Sequence, residues 1–599
     1  MKQLKRFQGS LQTLGNIKFM FDRIWEQKDG KVYIFLRISV SILESLFPLA
    51  ETVLPGLIIN ELVYVRIGGK LLFLITALLM IPLLRGLLKY VTDGILMRLA
   101  EEINEKNWED FYRFINRIDY EILELPDTQD LKNRADKSLN DETAVIRQFA
   151  QMLSAVLNVF LLSSIIAMLN PLIIVLAIIT ILTNSVVTKH LNEKNHETDN
   201  RIWDKLRRQW GFGWMLDSFD YAKELRLFQM GELLIGKFMG IERSINQDRK
   251  KMNSDQHVAA VQAAGLRFFY LAILYGYLIY RVIQEGLEVG SMAIFLSAAG
   301  RFSASLGVVM DSYVSLSAIS LRVDDLRAFL RMPTGQCAQG KLMPQCGENS
   351  IIEFRNVSFR YHGSGQNAIS HLNLVLRCNE KLCIVGENGA GKSTFIKLLM
   401  RLYRPSEGEI LLNGININEY DYESYQRMFA PVFQDCAEFY LTLGENIILG
   451  DSWDIKKLDN VCGFSGVAAF MEKLPEGYNT QIKKWFDENA IVPSGGECQK
   501  IAIARACYHG GSIYLLDEPT AALDPNAEYE MYQQFDRMTE GKYTIFITHR
   551  LSAVQLADRI AVFANGGIAE YGTHASLYRK GGLYTVMFDK QAEFYRKDI

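Results

Sequence analysis

Cysteine, proline and surplus charge are all scarce in this 599-residue chain. Eight cysteines are too few for a disulfide scaffold at this length, and they fall at 337, 346, 378, 383, 436, 462, 498 and 507 without any C-x-x-C spacing. That pattern points to a reduced domain with ordinary small apolar cysteines rather than to a metal site. A net charge of −3, from 65 Lys and Arg against 68 Asp and Glu, excludes a nucleic-acid coat, which needs surplus cations for phosphate. With 49% hydrophobic residues, 44 Gly and only 13 Pro, disorder and collagen-like repeats are excluded as well. The mean hydropathy of +0.03 suits an ordinary soluble protein, yet it averages two unlike halves.

The cysteine-free half holds the long apolar runs, at 32–62, 71–88, 150–169, 172–187, 258–283 and 287–314. Each approaches or exceeds the ~20 residues that cross a bilayer's hydrocarbon core. Six such runs in one half read as six membrane spans, with Asn170 and Pro171 making the tight turn between the third and fourth. Lys2, Lys5, Arg6, Lys18, Arg23, Lys28 and Lys31 precede the first span, whereas the turn after the third has no basic residue. Both termini are therefore expected on the cytoplasmic side of the cell membrane. The polar leading segment lacks a short apolar core with a small-residue cleavage site, so no removable signal peptide is expected. Asp22, Glu26 and Asp29 argue against an organelle transit peptide.

Two cytoplasmic loops, after the second and fourth spans, are too long to be connectors and are rich in helix formers, which predicts helices continuing out of the membrane. The first is broken at Leu125, Pro126 and Asp127, and the second contains an amphipathic stretch at 222–228. A short helix lying across each tip, or a solvated coiled coil, would fit. Charge also enters the spans. Arg37, Glu44 and Glu51 recur every seven residues, and seven steps of 100° return to about the same helix face. Facing lipid, each would cost about 2.5 to 3.5 kcal/mol, so the stripe should face protein or water. Together with Arg85, Arg301 and Asp311 these residues could line a polar passage, or form interhelical pairs such as Arg85 with Glu44. Pro48 and Pro55 should kink the same helix.

Pro333, Gly335, Gly340, Pro344 and Gly347 mark residues 331–350 as a linker between a membrane domain at 1–330 and a soluble α/β domain at 351–599. In the latter an apolar strand leads into G-x-x-x-x-G-K-S, from Gly386 to Ser393, and a helical run follows from Thr394. This strand, loop and helix order is that of a P-loop NTPase: loop glycines let backbone N–H groups curl around phosphate, Lys392 reaches the β- and γ-phosphates, and the Ser393 hydroxyl serves Mg²⁺. A second apolar strand, 513–516, ends in Asp517 and Glu518. Asp517 would hold Mg²⁺, and Glu518 would orient and activate the attacking water.

With these motifs in place, the chain resembles the ATP-binding cassette (ABC) transporters over its whole length. Ser494, Gly495 and Gly496 look like the core of that family's signature, Gln434 like the glutamine that touches Mg²⁺, and Tyr361 like the aromatic residue that stacks on adenine. Asp524 resembles the aspartate exchanged between subunits, and His549 the switch histidine at the γ-phosphate. The resemblance thus implies ATP bound by Tyr361, Gly386, Asn388, Gly389, Gly391, Lys392, Ser393, Thr394, Gln434, Ser494, Gly495, Gly496, Asp517 and Asp524. Ser393, Gln434 and Asp517 would hold Mg²⁺, and Glu518 and His549 would be catalytic. The implied fold is an all-α six-helix membrane domain of the exporter type fused to an α/β P-loop domain. Its long loops are similar to those that carry transverse coupling helices, with 125–131 and 222–228 as candidates. Departures are Pro493, where the family usually has Leu, and Glu497, where it usually has Gln.

In the family each ATP lies between the phosphate loop of one domain and the signature of another. A single copy of each motif implies a dimer, and with Glu518 and His549 both present a homodimer suffices. The segment Lys483, Lys484, Trp485, Phe486, Asp487 and the stretch at 224–228 resemble bacterial exporters of modified antimicrobial peptides, the lantibiotic type. A peptide cargo follows, with any leader cut by a separate peptidase because the first cysteine is Cys337; a modifying enzyme would be a further partner. A lipid or hydrophobic-drug exporter remains open, as does an ATP-gated channel or regulatory membrane subunit.

Overall fold

The computed structural model describes the chain except residues 1, 65–67, 140, 335–339, 348, 378–379, 451, 485–486, 519–534, 536–538, 540, 549–553, 555 and 597–599. It divides into two units. One comprises Met1–Tyr112 and Leu131–Leu330; the other comprises Arg113–Asp130 and Arg331–Ile599.

The first unit is helical. Among the described residues five stretches are long and apolar enough to cross a membrane: Gly30–Val63, Gly69–Ile115, Asp141–Met168, Gly231–Glu285 and Val289–Leu330. The expected fourth crossing is the apolar start, Pro171–Asn184, of the 47-residue helix Pro171–Asp217, and it falls short of that length. Only 11% of the apolar window in Gly69–Ile115 is buried inside the chain. Leu72, Phe73 and Leu79 are about as exposed as Lys side chains at a water surface, which an apolar surface sustains only against lipid or a partner chain. The hairpin at Asn170 and Pro171 forms as expected, with the Asn170 side chain accepting from the Leu172 N–H at 2.9 Å and proline in the first helical turn, where its missing donor costs nothing.

The first span is two helices, Gly30–Glu44 and Phe47–Val63. The break falls at Ser45 and Leu46, just ahead of Pro48, whose ring and missing N–H disrupt the preceding turn, while Pro55 is carried inside the second helix. Gly56 and Gly290 let this second helix cross Val289–Leu330 backbone to backbone: a Cβ at Gly56 would stand 2.4 Å from the Gly290 carbonyl oxygen. The Gly290 N–H donates to Asn60 Oδ1 at 2.8 Å across the crossing.

Among the described residues the second unit holds two sheets. One is four-stranded and antiparallel in the order β2-β1-β4-β5, from β1 (Ile351–Phe359), β2 (Ile369–Arg377), β4 (Glu407–Leu412) and β5 (Ile415–Asn416). The other runs β10-β9-β3-β8-β7-β6, from β3 (Lys381–Gly386), β6 (Phe429–Val432), β7 (Ile513–Asp517), β8 (Tyr543–Ile547), β9 (Arg559–Ala564) and β10 (Gly567–Gly572). Its strands are parallel except for β10. Near-continuous burial along β3, β7 and β8 is what a sheet covered on both faces demands. The helix Lys392–Leu399 is wedged between the sheets, with the Phe395 ring stacked 4.8 Å from Phe354 of β1 and 5.7 Å from Phe563 of β9.

The segment Arg113–Asp130 packs on this unit through the four-residue helix Tyr120–Leu123. Tyr120 meets Tyr403 edge-on at 5.8 Å, Glu124 accepts a hydrogen bond from the Tyr403 hydroxyl, and Asp119 lies 3.9 Å from Arg404. The contact is thus one turn upstream of the candidate stretch 125–131, which begins one residue ahead of the helix Pro126–Lys137 and runs into it. The second candidate, 222–228, lies in and just beyond the helix Phe219–Leu227, capped by Ser218.

Candidate functional site

Parallel strands put their C-terminal ends on one edge, and this edge gathers the motif residues. Ile547 of β8 is in register with Ile384 of β3 on one side and Asp517 of β7 on the other. The loop after β3 therefore faces the acidic pair from two strands away, roughly 10 Å at the usual strand spacing. Gly386, Gly389 and Gly391 all adopt left-handed φ, of 154°, 80° and 102°. At Gly391 a side chain is excluded twice, since a Cβ there would also stand 2.7 Å from the Ala368 carbonyl oxygen. Glu387, Asn388 and Gly389 form the exposed rim of the loop, and Ser393 is exposed beside them.

Lys392 is 7% exposed and folds back into its own loop, donating from Nζ to the Gly386 carbonyl at 2.7 Å and the Glu387 carbonyl at 3.0 Å. Burial lowers its pKa, against the attraction of Glu518 and Asp517. A buried ammonium held at the mouth of a helix N-terminus is a strong anion receptor. Thr394, next in the helix, shares a 3.0 Å hydrogen bond with the Tyr361 hydroxyl. Tyr361 thereby stands against the phosphate loop, edge-on to Phe359 at 5.0 Å and to Tyr403 at 5.5 Å. Tyr403 is the residue that sequence reasoning missed: one ring touches both Tyr361 and the Tyr120–Leu123 helix, and no motif marks an aromatic at that position.

Glu518 closes the strand end with φ of 47°, unusual for a side-chain-bearing residue, and its N–H donates to the Ile547 carbonyl at 2.9 Å. Burial first, then the Glu518 charge, pushes the Asp517 carboxyl up to about 6, with Lys392 pulling it down and Asp435 adding a further rise. Gln434 is exposed just past the C-terminal end of β6, beside Asp435. Between the unfolded value of about 4 and the folded value near 6, the folded chain holds a proton that the unfolded chain has released, so stability falls as pH rises through that window. Asp517→Asn is therefore expected to raise the thermal unfolding midpoint of the nucleotide-free protein at about pH 8. The gain should shrink as pH is lowered towards about 5, read by thermal melts at both pH values.

Ser494 caps the helix Gly495–His509. Its hydroxyl donates to Glu497 Oε2 at 2.8 Å, its N–H donates to the same oxygen at 2.7 Å, and the Glu497 N–H returns to the hydroxyl at 3.4 Å. Glu497, the departure noted in the sequence, is thus the acid of a capping box. Ser494 and Gly495 are exposed, and among the described residues no hydrogen bond joins Ser494, Gly495 or Gly496 to the loop from Gly386 to Ser393. Asp524 and His549 lie outside the described residues, as do Trp485 and Phe486.

Residues 369–521 match the family described as ABC transporter. Over 581 residues the chain is 30% identical to the subtilin transport ATP-binding protein SpaT of Bacillus subtilis, spanning 93% of this chain and 92% of that one. It is 26% identical over 508 residues to the nisin transport ATP-binding protein NisT of Lactococcus lactis subsp. lactis, spanning 84% and 82%. A bacterial Atm1-family ABC exporter with ATP bound superposes with a TM-score of 0.80 over 93% of this chain and 99% of its own, at 21% identity, a likeness of fold.

Proposed function

Since the chain belongs to the ABC transporter family, a multi-pass membrane ATPase whose ATP hydrolysis is coupled to transport, we propose that it exports a peptide of the lantibiotic kind from the cytoplasm as a homodimer. The observation that carries the reading is the near full-length similarity to SpaT, a protein named for subtilin transport; NisT, named for nisin, supports it. Residues 1–330 are assigned to the membrane domain, 331–350 to the linker and 351–599 to the nucleotide-binding domain, with both termini cytoplasmic.

In this reading the loop from Gly386 to Thr394 receives the phosphates of ATP and Tyr361 stacks on the adenine. Lys392 exchanges its two carbonyl acceptors for phosphate oxygens, a trade that favours the anion because a buried ammonium is poorly served by neutral carbonyls. The oxygen set of Ser393, Gln434 and Asp517 suits Mg²⁺, and the carboxyl pushed up by burial and by Glu518 is one that a hard cation relieves. Bound there, Mg²⁺ would offset charge on the β- and γ-phosphates. Glu518 takes a proton from the attacking water, and Ser494 to Gly496 of the second chain, with that chain's Asp524, complete the phosphate cage; His549 contacts the γ-phosphate. The Tyr120–Leu123 helix passes closure to the membrane domain through Tyr403.

Glu497 puts a negative charge beside the Ser494 hydroxyl meant for phosphate. Glu497→Gln keeps an acceptor for the capping box, so stability should change by less than about 1 kcal/mol, while the KM for ATP falls several-fold as repulsion is removed. Steady-state ATPase assays against ATP concentration read this. Export itself is tested in inside-out membrane vesicles. ATP-dependent accumulation of a lanthionine-containing precursor peptide against its gradient is expected. Equilibration without accumulation would indicate a channel, and accumulation of lipid or drug in place of peptide would overturn the cargo assignment.

A further inference from the structure

Three side chains from three spans meet in a cluster that the nucleotide chemistry does not use. Glu51 on Phe47–Val63 receives Arg301 of Val289–Leu330, Nη1 to Oε2 at 2.9 Å, and stands 3.5 Å from Nη1 of Arg85 on Gly69–Ile115. Interhelical pairing, one of the two alternatives left open by the sequence, is thus what forms, and among the described residues Arg85 pairs with Glu51 rather than with Glu44, the example named there. Two cations therefore surround one anion at membrane depth. Glu44 lies on the other side of the helix break at Ser45 and Leu46, Asp311 stands about 15 Å along the helix from Arg301, and among the described residues neither pairs with Arg85 or Arg301.

A net positive charge in hydrocarbon costs several kcal/mol, so such a cluster persists where water or a counter-anion reaches it. The side chains are placed accordingly, with Arg85 at 45% and Arg301 at 37% exposure against 20% for Glu51. Each guanidinium carries about five N–H donors. Among the described residues the only hydrogen bond that either makes is Arg301 to Glu51. Thr52, the adjacent hydroxyl, is spent on the Pro48 carbonyl at 2.6 Å. The two helices that carry Glu51 and Arg301 are locked by the Gly56 and Gly290 crossing, so this pair is held on a rigid frame towards which Arg85 reaches from the third helix.

We propose that Arg85 and Arg301, poised by Glu51, form a cargo-recognition site for carboxylate groups, so that the exported peptide is received through an acidic side chain or its free C-terminus. Paired planar forks match a carboxylate in bidentate geometry, which a diffuse positive potential does not. Glu51 prepays part of the charge while leaving most donors open, and the arriving carboxylate neutralises the remainder. The inference rests on the peptide-export reading above.

The test uses the full-length protein in inside-out proteoliposomes and two fluorescent synthetic peptides of one sequence. One has two Glu and a free C-terminus; the other has Gln at those positions and a C-terminal amide. The half-saturating concentration for ATP-dependent uptake should be about tenfold lower for the carboxylate peptide. Arg301→Gln and Arg85→Gln should each collapse that preference towards unity, Arg301→Lys should keep part of it, and Glu51→Gln should widen it. If the arginine variants fail to assemble, Glu51→Gln decides, and an unchanged or narrowed preference overturns the proposal. Equal uptake of both peptides by the native protein overturns the carboxylate site and leaves peptide export standing. Uptake of neither ends both readings, and arginine-dependent flipping of fluorescent phosphatidylglycerol without peptide uptake assigns the forks to lipid phosphate instead.

Discussion

Glu518→Gln is expected to leave ATP binding intact and to cut its hydrolysis by about 10²- to 10⁴-fold, the range that a positioned general base contributes. The substitution keeps shape and one acceptor oxygen but removes the ability to take a proton. Backbone geometry separates this effect from misfolding: the Glu518 N–H is held by the Ile547 carbonyl at 2.9 Å, and its left-handed φ of 47° is set at the strand end rather than by the carboxylate. Asp517 should also shift, because one of the causes raising its pKa is the Glu518 charge, and removing that charge favours the ionised form. Lys392→Ala supplies the contrast, since it deletes the buried cation and should weaken ATP binding itself. Binding of a fluorescent ATP analogue and phosphate release at saturating ATP distinguish the two, and near-normal turnover in Glu518→Gln would overturn the assignment of the base.

The strand, loop and helix around Lys392 were legible in sequence because local requirements coincide there: left-handed glycines, an apolar strand buried on both faces and a helix start. The acidic pair was legible for a similar reason, as both carboxylates follow directly from one strand. What sequence could not hold was the crossing geometry of helices. Arg37, Glu44 and Glu51 share a face only on one continuous helix, and the break at Ser45 and Leu46 ends that periodicity. Arg301 finds Glu51 because two glycines bring the helices bearing them to backbone contact, a distance that no period encodes. Tyr403 was invisible for a different reason: its importance comes from two neighbours, Tyr120 and Tyr361, that lie far away along the chain. Glu497 was read as a departure from a signature, whereas its local role is to cap a helix, and only the capping geometry reveals that both can hold at once.

Mixed dimers should decide where a complete ATP site lies. Chains carrying Lys392→Ala and chains carrying Ser494→Arg are each expected to be inactive as homodimers, the first for want of the proposed phosphate cation, the second because a bulky side chain would replace the helix cap at the proposed phosphate contact. If each site combines the loop of one chain with the Ser494 helix of the other, so that the Ser494 hydroxyl would meet phosphate only across the dimer, a dimer of one chain of each kind has one site with both defects and one with neither. About half of native ATPase activity should then return, provided the two sites fire independently, and less where they are coupled. If a site were built within one chain, every site in the mixed dimer would carry a defect and activity would stay at background. The structure favours the first outcome: Ser494 spends its hydroxyl on Glu497, lies exposed, and makes no hydrogen bond to the phosphate loop of its own chain among the described residues. An exposed helix N-terminus that its own loop does not use is complementary to an anion brought by a second copy. Co-expression with two affinity tags and sequential purification isolates the mixed species, and recovery of ATPase in that fraction alone is the expected result.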